Sequence, residues 1–172
     1  MTARLFRFTF VLAAVGLLSA PASPLSAEEA ASPALAKALT ATTVTLQDGL
    51  KASESQGNPI SAKFEVEHDA LQLSVYTMKG DDFMEVVVDP KTGAVAKAEK
   101  ITDADDLKEA TAQKAAMAKA ATALLAAADA AAKANPGSRA VSIYPQLQNG
   151  SPVAEVTLLQ GSAFQKVTGK LH

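Results

Sequence analysis

The stretch EVVVDPKTGAVAKAEKI, Glu85 to Ile101, carries a turn in its middle. Asp89 suits the first position of a turn, because its carboxylate can accept hydrogen bonds from backbone N–H groups just ahead. Pro90 presets φ for the next position, and Gly93 can take the left-handed conformation that closes a hairpin. Strand-forming residues flank it on both sides, so the segment reads as strand, turn, strand. Nothing in it requires a ligand. The three consecutive valines, Val86 to Val88, suit a strand covered on both faces.

Upstream the apolar residues change period. Ile60, Ala62, Phe64 and Val66 alternate with Ser61, Lys63, Glu65 and Glu67, and Leu71, Leu73 and Val75 repeat the alternation, which predicts two strands with one buried face each. Lys79 to Asp82 turns the chain into a third strand, Phe83 to Val88, and Ala94 to Ile101 makes a fourth. Further back, Ser32-Pro33 offers an N-cap followed by proline at the first helical position. Leu35, Leu39, Leu46 and Leu50 then fall on one helical face, although the TATTVT run weakens the helix because β-branched residues are poor helix formers. Gly49 weakens it further, and Gln56 to Pro59 ends it.

Downstream, Thr102 opens an alanine-rich segment with Asp105 three residues later, which resembles a capping box. Asp103, Asp105 and Asp106 favour the helix N-terminus and Lys133 its C-terminus. Alanine has the highest helix propensity, so a single helix running to Asn135-Pro136-Gly137 is expected. Three strands follow, Arg139 to Gln146, Pro152 to Leu159 and Ala163 to His172, with Asn149-Gly150 as the strongest turn signal.

The second half therefore repeats the first. Asn58-Pro59 aligns with Asn135-Pro136, and Thr92-Gly93 with Thr168-Gly169, at shifts of 77 and 76. The expectation is an α+β protein of two similar units, residues 32–101 and 102–172. Each would be a helix packed on a small antiparallel sheet of three to four strands. Val86 to Val95, VVVDPKTGAV, resembles the late strand of the PepSY family, V-x-V-D-x-x-T-G-x-V, and the preceding strands lie where that family places them. The resemblance covers roughly Leu46 to Ile101. In the second unit Gln165 stands where Asp89 stands in the first, and the fourth strand is almost missing. The resemblance implies an exported module that binds or restrains peptidases and other envelope proteins, and it brings no catalytic residues.

The N-terminus fits an exported protein. Arg4 and Arg7 precede an uncharged, mostly apolar run, Phe8 to Ala20, and small residues follow, as in a secretory signal peptide of residues 1–27. That run is about half a membrane span. Cleavage after Ala27 or after Ala22 would remove both arginines, taking the formal charge from −2 to −4. The mature chain is then mildly acidic, with scattered lysines, no Trp and two Tyr, unlike a nucleic-acid binder, which wants a basic patch with stacking residues. No cysteine is present, so disulfides, cysteine-linked lipid, thiol chemistry and cysteine-ligated zinc are excluded.

Chemistry has few footholds. His68 lies beside Asp69 with Glu65 and Glu67 nearby, and a lone histidine next to a turn reads as a surface residue. His172 is the last residue. No serine sits in a G-x-S-x-G context. Counted from Asp103 as an EF-hand loop, the sixth and twelfth positions hold Lys108 and Lys114 instead of Gly and Glu, so Asp103 to Asp106 reads as a helix cap. Asp81-Asp82 reads as a solvated turn. No catalytic, cofactor-binding or metal-ligating residue is assigned, and no cofactor. The expected function is a non-enzymatic periplasmic or secreted module whose partner is a protein or peptide, with no nucleic acid and no membrane after signal cleavage. It would restrain a peptidase or another envelope protein. The alternative is a structural or regulatory periplasmic protein without a peptidase partner.

Overall fold

The computed structural model describes residues 31–172, so the expected signal peptide and its cleavage sites lie outside the described residues. Seven strands, β1 (Asn58–Glu67), β2 (Ala70–Lys79), β3 (Asp82–Val88), β4 (Val95–Lys100), β5 (Arg139–Gln148), β6 (Ser151–Gln160) and β7 (Ala163–Lys170), form one antiparallel sheet in the order β4-β3-β2-β1-β5-β6-β7. Four helices accompany it: α1 (Pro33–Leu39), α2 (Leu46–Ser53), α3 (Ala104–Met117) and α4 (Leu124–Ala134).

Two separate helix-on-sheet units are thus not what forms. β1 and β5 pair antiparallel through Ala62–Ile143 and Lys63–Ser142, which fuses both sets of strands into one sheet. Bulges at Pro59/Ser61 and Ala140/Ser142 flank this short ladder. Left apart, each unit would expose the backbone of a ten-residue edge strand and a small core of its own. Fused, they share a core in which Leu46, Leu50, Phe64, Val75, Ile143, Val156 and Leu158 are all buried together.

The duplication is present, but its period differs from the one the motifs suggest. β5, β6 and β7 begin at Arg139, Ser151 and Ala163, each 81 residues after the start of β1, β2 and β3 at Asn58, Ala70 and Asp82. The turns follow the same shift: His68-Asp69 corresponds to Asn149-Gly150, and Gly80 to Gly161, all with positive φ. Asn58-Pro59 lies inside β1 whereas Asn135-Pro136 ends α4, and Thr92-Gly93 lies in a turn whereas Thr168-Gly169 lies inside β7. Those dipeptides are coincidences of turn-forming composition, not equivalent positions.

Both expected helices are interrupted. In the first, the four leucines are buried as their spacing predicts, but on two helices. Thr45 caps α2 in a reciprocal box with Asp48 (Asp48 N–H to Oγ1 3.1 Å, Thr45 N–H to Oδ2 2.8 Å). The Thr42 hydroxyl accepts from the Val44 amide at 3.1 Å and donates to the Pro90 carbonyl. Threonine side chains that bond local backbone compete with the helix, and here they win. In the second, the amides of Ala121 and Thr122 both donate to the Leu171 carbonyl, at 2.7 and 3.0 Å. Asp103, not Thr102, caps α3, accepting from the amides of Asp105 and Asp106 at 2.9 and 3.2 Å. Alanine favours helix but does not prevent a break where the chain must change direction to cover both sheet faces.

That change of face organises the molecule. α1, α2 and α4 cover the face that carries Ala62, Phe64, Leu73, Val75, Val86 and Ile143. α3 packs on the opposite face, where Ala110 meets Ile60, Phe83 and Ile101, with Tyr76 and Met78 beside them. Arg139 ties the halves: its guanidinium donates to the carbonyls of Leu39 (2.9 Å), Thr42 (3.2 Å) and Val44 (2.8 Å) and lies over the Phe64 ring.

Candidate functional site

The two outer edges of the sheet differ. β4 has six residues, and its pairing with β3 is interrupted at Val87/Val88. Ion pairs guard it, Lys97 with Glu99 at 2.8 Å and Lys100 with Asp82 at 2.5 Å. A short strand and an interrupted ladder of this kind protect an edge against further pairing. Lysines also discourage it, and they stand on both edges, Lys97 and Lys100 on β4 and Lys166 and Lys170 on β7, so length and regularity are what distinguish the two. β7 is longer, eight residues, and pairs with β6 in unbroken register from Val153–Lys170 to Gln160–Ala163. Six of its eight residues are exposed, Phe164 and Val167 being half-buried, and no strand among the described residues pairs with its outer side. β3, its counterpart in the first repeat, has β4 in that place. Among the described residues, the position that β4 fills in the first repeat is thus an open strand edge in the second.

β7 carries Lys166 and Lys170 and no carboxylate. Its alternation puts Lys166, Thr168 and Lys170 on one face and Val167 on the core side, where Val167 packs against the main core. Lys166 pairs with Glu155 at 2.9 Å. Lys170 makes no ion pair among the described residues. The segment after β7 is fixed, since the amide of buried Leu171 donates to the Pro152 carbonyl at 3.1 Å.

The face under α3 holds a second polar group, in the first repeat. Glu65 takes Lys63 at 2.6 Å and the Ser74 hydroxyl at 2.9 Å, and Ser74 in turn accepts from Gln72 at 2.8 Å. Glu85 lies half-buried beside them. Burial pushes its carboxyl above the ordinary range, and the neighbouring charges of Glu65 and Asp106 act the same way against the lowering influence of Ser74 and Lys63. Tyr76 and Tyr144 are also pushed up by burial, with Asp106 and Glu109 of α3 among the charges near them. Among the described residues no group of three or more His, Asp or Glu is placed to hold a metal ion.

The residues singled out in the sequence scatter. His68 is almost fully exposed in the β1–β2 turn, 3.7 Å from Glu67. Asp69 follows it in that turn, and His172 is exposed at the end of the chain. Asp81 pairs with Lys114 of α3 at 2.7 Å, and Asp82 with Lys100. Asp89 accepts from the amides of Lys91 (2.7 Å) and Thr92 (3.0 Å), which holds its carboxyl below the ordinary range, and Gly93 has φ 72°. That turn is as the sequence predicts. The three valines are not equivalent: Val86 and Val88 are buried, and Val87 is half-buried on the polar face. Two shallow clefts, of about 470 and 410 Å³, lie beside Arg139 and between Lys51 and Lys91. In the second, the Asp48 carboxylate is taken up by the amide and hydroxyl of Thr45, as part of the α2 cap. Nothing local in the sequence marks β7 as an edge, because strand order decides which strand is last.

No family model matches the chain. No curated protein matches it. Among solved structures, it is similar to the crystal structure of a candidate lipoprotein from Clostridium difficile 630, with 14% identity and a TM-score of 0.41 over 76% of this chain and 88% of that one. Among the described residues, no helix is long and apolar enough to cross a membrane.

Proposed function

We propose that this chain is an exported, non-enzymatic binding module that grips an extended segment of a partner protein along the outer edge of β7. One observation carries the reading: an eight-residue, regular strand edge, unpaired among the described residues, at the position its repeat fills with β4. Adding a strand to an exposed sheet edge is a recurrent mode of peptide recognition, in which backbone hydrogen bonds supply affinity and alternate side chains supply specificity. The basic, then apolar, then small-residue N-terminus supports export. The PepSY resemblance of Val86 to Val95 supports a partner that is a peptidase or another envelope protein, held in check by the contact.

A second reading, a structural envelope component without a ligand, draws on the ion-paired β4 edge. Selection of random extended peptides on the full chain, followed by amide exchange of the complex, separates the two. Slowed exchange confined to the β7 amides supports binding. Failure to select any peptide leaves the structural role, and protection confined to other amides overturns β7 as the binding edge.

A further inference from the structure

We infer, on the reading that β7 is the docking edge, that the bound segment runs antiparallel to β7 and carries two acids four residues apart, facing Lys166 and Lys170, with small apolar residues on its other face. The first repeat supplies the template. β4 pairs antiparallel with β3 through Glu85–Glu99, Val86–Ala98 and Val87–Lys97, then skips Ala96 to pair Val88 with Val95. β7 keeps unbroken register with β6, so its guest is taken without that skipped residue. The 81-residue shift carries these β3 positions onto Lys166, Val167, Thr168 and Gly169 of β7.

Each position then specifies its guest. Opposite Val86, β4 places Ala98 against the core, and Val167 packs against that same core, so the residue opposite it is small and apolar. Opposite Val88 stands Val95, whereas the second repeat has Gly169, where a Cβ would meet nothing within 4 Å. The space left by that glycine accepts a β-branched residue from the guest. The charge is inverted at the position of Glu85, which becomes Lys166. Lys170 lies on the same face four residues on. Glu155 neutralises one of these two lysines and leaves the other. Directly opposed unlike charges stabilise a strand pair and like charges destabilise it, so the guest carries acids at these two positions. The same rule disfavours a second copy of the chain pairing edge to edge through β7, which would set lysine strand against lysine strand.

The test uses the full chain and three fluorescent peptides, SEVTVEVS, its lysine counterpart SKVTVKVS, and SEVPVEVS, whose proline removes a central backbone donor. Anisotropy titration at low salt is expected to show SEVTVEVS binding about ten-fold more tightly than SKVTVKVS. In the Lys170→Glu variant that preference shrinks or reverses, and SEVPVEVS binds much less than its parent. Equal binding of the acidic and basic peptides overturns the charge assignment while strand addition stands. Loss of all peptide binding by a chain that melts normally, or undiminished binding of the proline peptide, overturns strand addition itself.

Discussion

His68 and Asn149, 81 residues apart, hold the same place in two hairpins: each opens a two-residue turn, with φ of 49° and 52°. The residues that follow, Asp69 and Gly150, have φ of 62° and 80°. A turn with positive φ at both central positions matches the twist of the flanking strands and favours Asn-Gly. The second hairpin has that pair, and the first makes the same turn with less suited residues. The surroundings of His68 thus have a backbone explanation, with its imidazole pointing to solvent.

Replacing the first pair by the second is expected to stabilise the protein. His68→Asn with Asp69→Gly relieves two left-handed residues, one of them by removing its Cβ. The gain should be about 1 kcal/mol, because Asp tolerates the left-handed region better than most residues do but less well than Gly. Thermal melting of the double variant checks this, and an unchanged or lower midpoint would mean the native turn is not strained.

The sequence made each strand readable to within a few residues, because alternation in Ile60 to Val66 or Leu71 to Val75 is a local signal. It made the Asp89 to Gly93 turn readable for the same reason. How the strands assemble was not readable. Whether β1 ends a small sheet or lies at the centre of a large one depends on β5, about eighty residues away, and the two ladder pairs that join them leave no local pattern. The helix breaks were hidden differently. Ala118 to Ala123 is good helix by composition, and what interrupts it is the Leu171 carbonyl, supplied from the far end of the chain. Lys166 and Lys170 read as ordinary solvated charges until the sheet order places them on an outer edge.

Gly49 is a packing requirement. A Cβ built there would sit 2.5 Å from Cδ2 and 2.9 Å from Cγ of Leu73, which is wholly buried. Alanine gains up to about 1 kcal/mol of helix propensity. Overpacking costs typically about 1–3 kcal/mol, and Leu73 has little room to yield in a filled core. Gly49→Ala should therefore lower stability on balance, and much less so in a Leu73→Val background. Urea unfolding of the two singles and the double reads the coupling directly; additive effects would show that the two side chains do not compete for the same space.

Arg139 should be worth more than a surface cation. Its guanidinium satisfies three carbonyls in and beside the α1–α2 connection, and burial holds its pKa somewhat below the ordinary value. Arg139→Met keeps an apolar stem beside Phe64 but leaves those carbonyls without their donor. A loss of about 2–3 kcal/mol is expected, from the cost of stranding partly buried acceptors. Arg139→Lys should recover only part, since one ammonium cannot span the same fork of acceptors. If both variants unfold at the urea concentration of the parent, the guanidinium is not what holds the connection in place.

Glu85 gives the protein a distinct pH response. Its carboxyl is raised in the folded state, first by burial and then by Glu65 and Asp106, so folding favours its protonated form. Below the ordinary glutamate value of 4.5, both states carry the proton and the residue adds no pH-dependent penalty. As pH rises past that value, the unfolded chain ionises first, and stability falls until the folded carboxyl has also ionised. Asp48 and Asp89 act in the opposite sense, their lowered carboxyls losing stabilising influence as pH falls through and below the ordinary aspartate value of 3.8. Comparison at pH 4.5 and pH 7 largely separates the two effects. Glu85→Gln removes the ionisation while keeping the shape, so its stability relative to the parent should improve from pH 4.5 to pH 7. Chemical denaturation at both values measures that difference, and a constant offset would show that Glu85 titrates alike in the folded and unfolded chain.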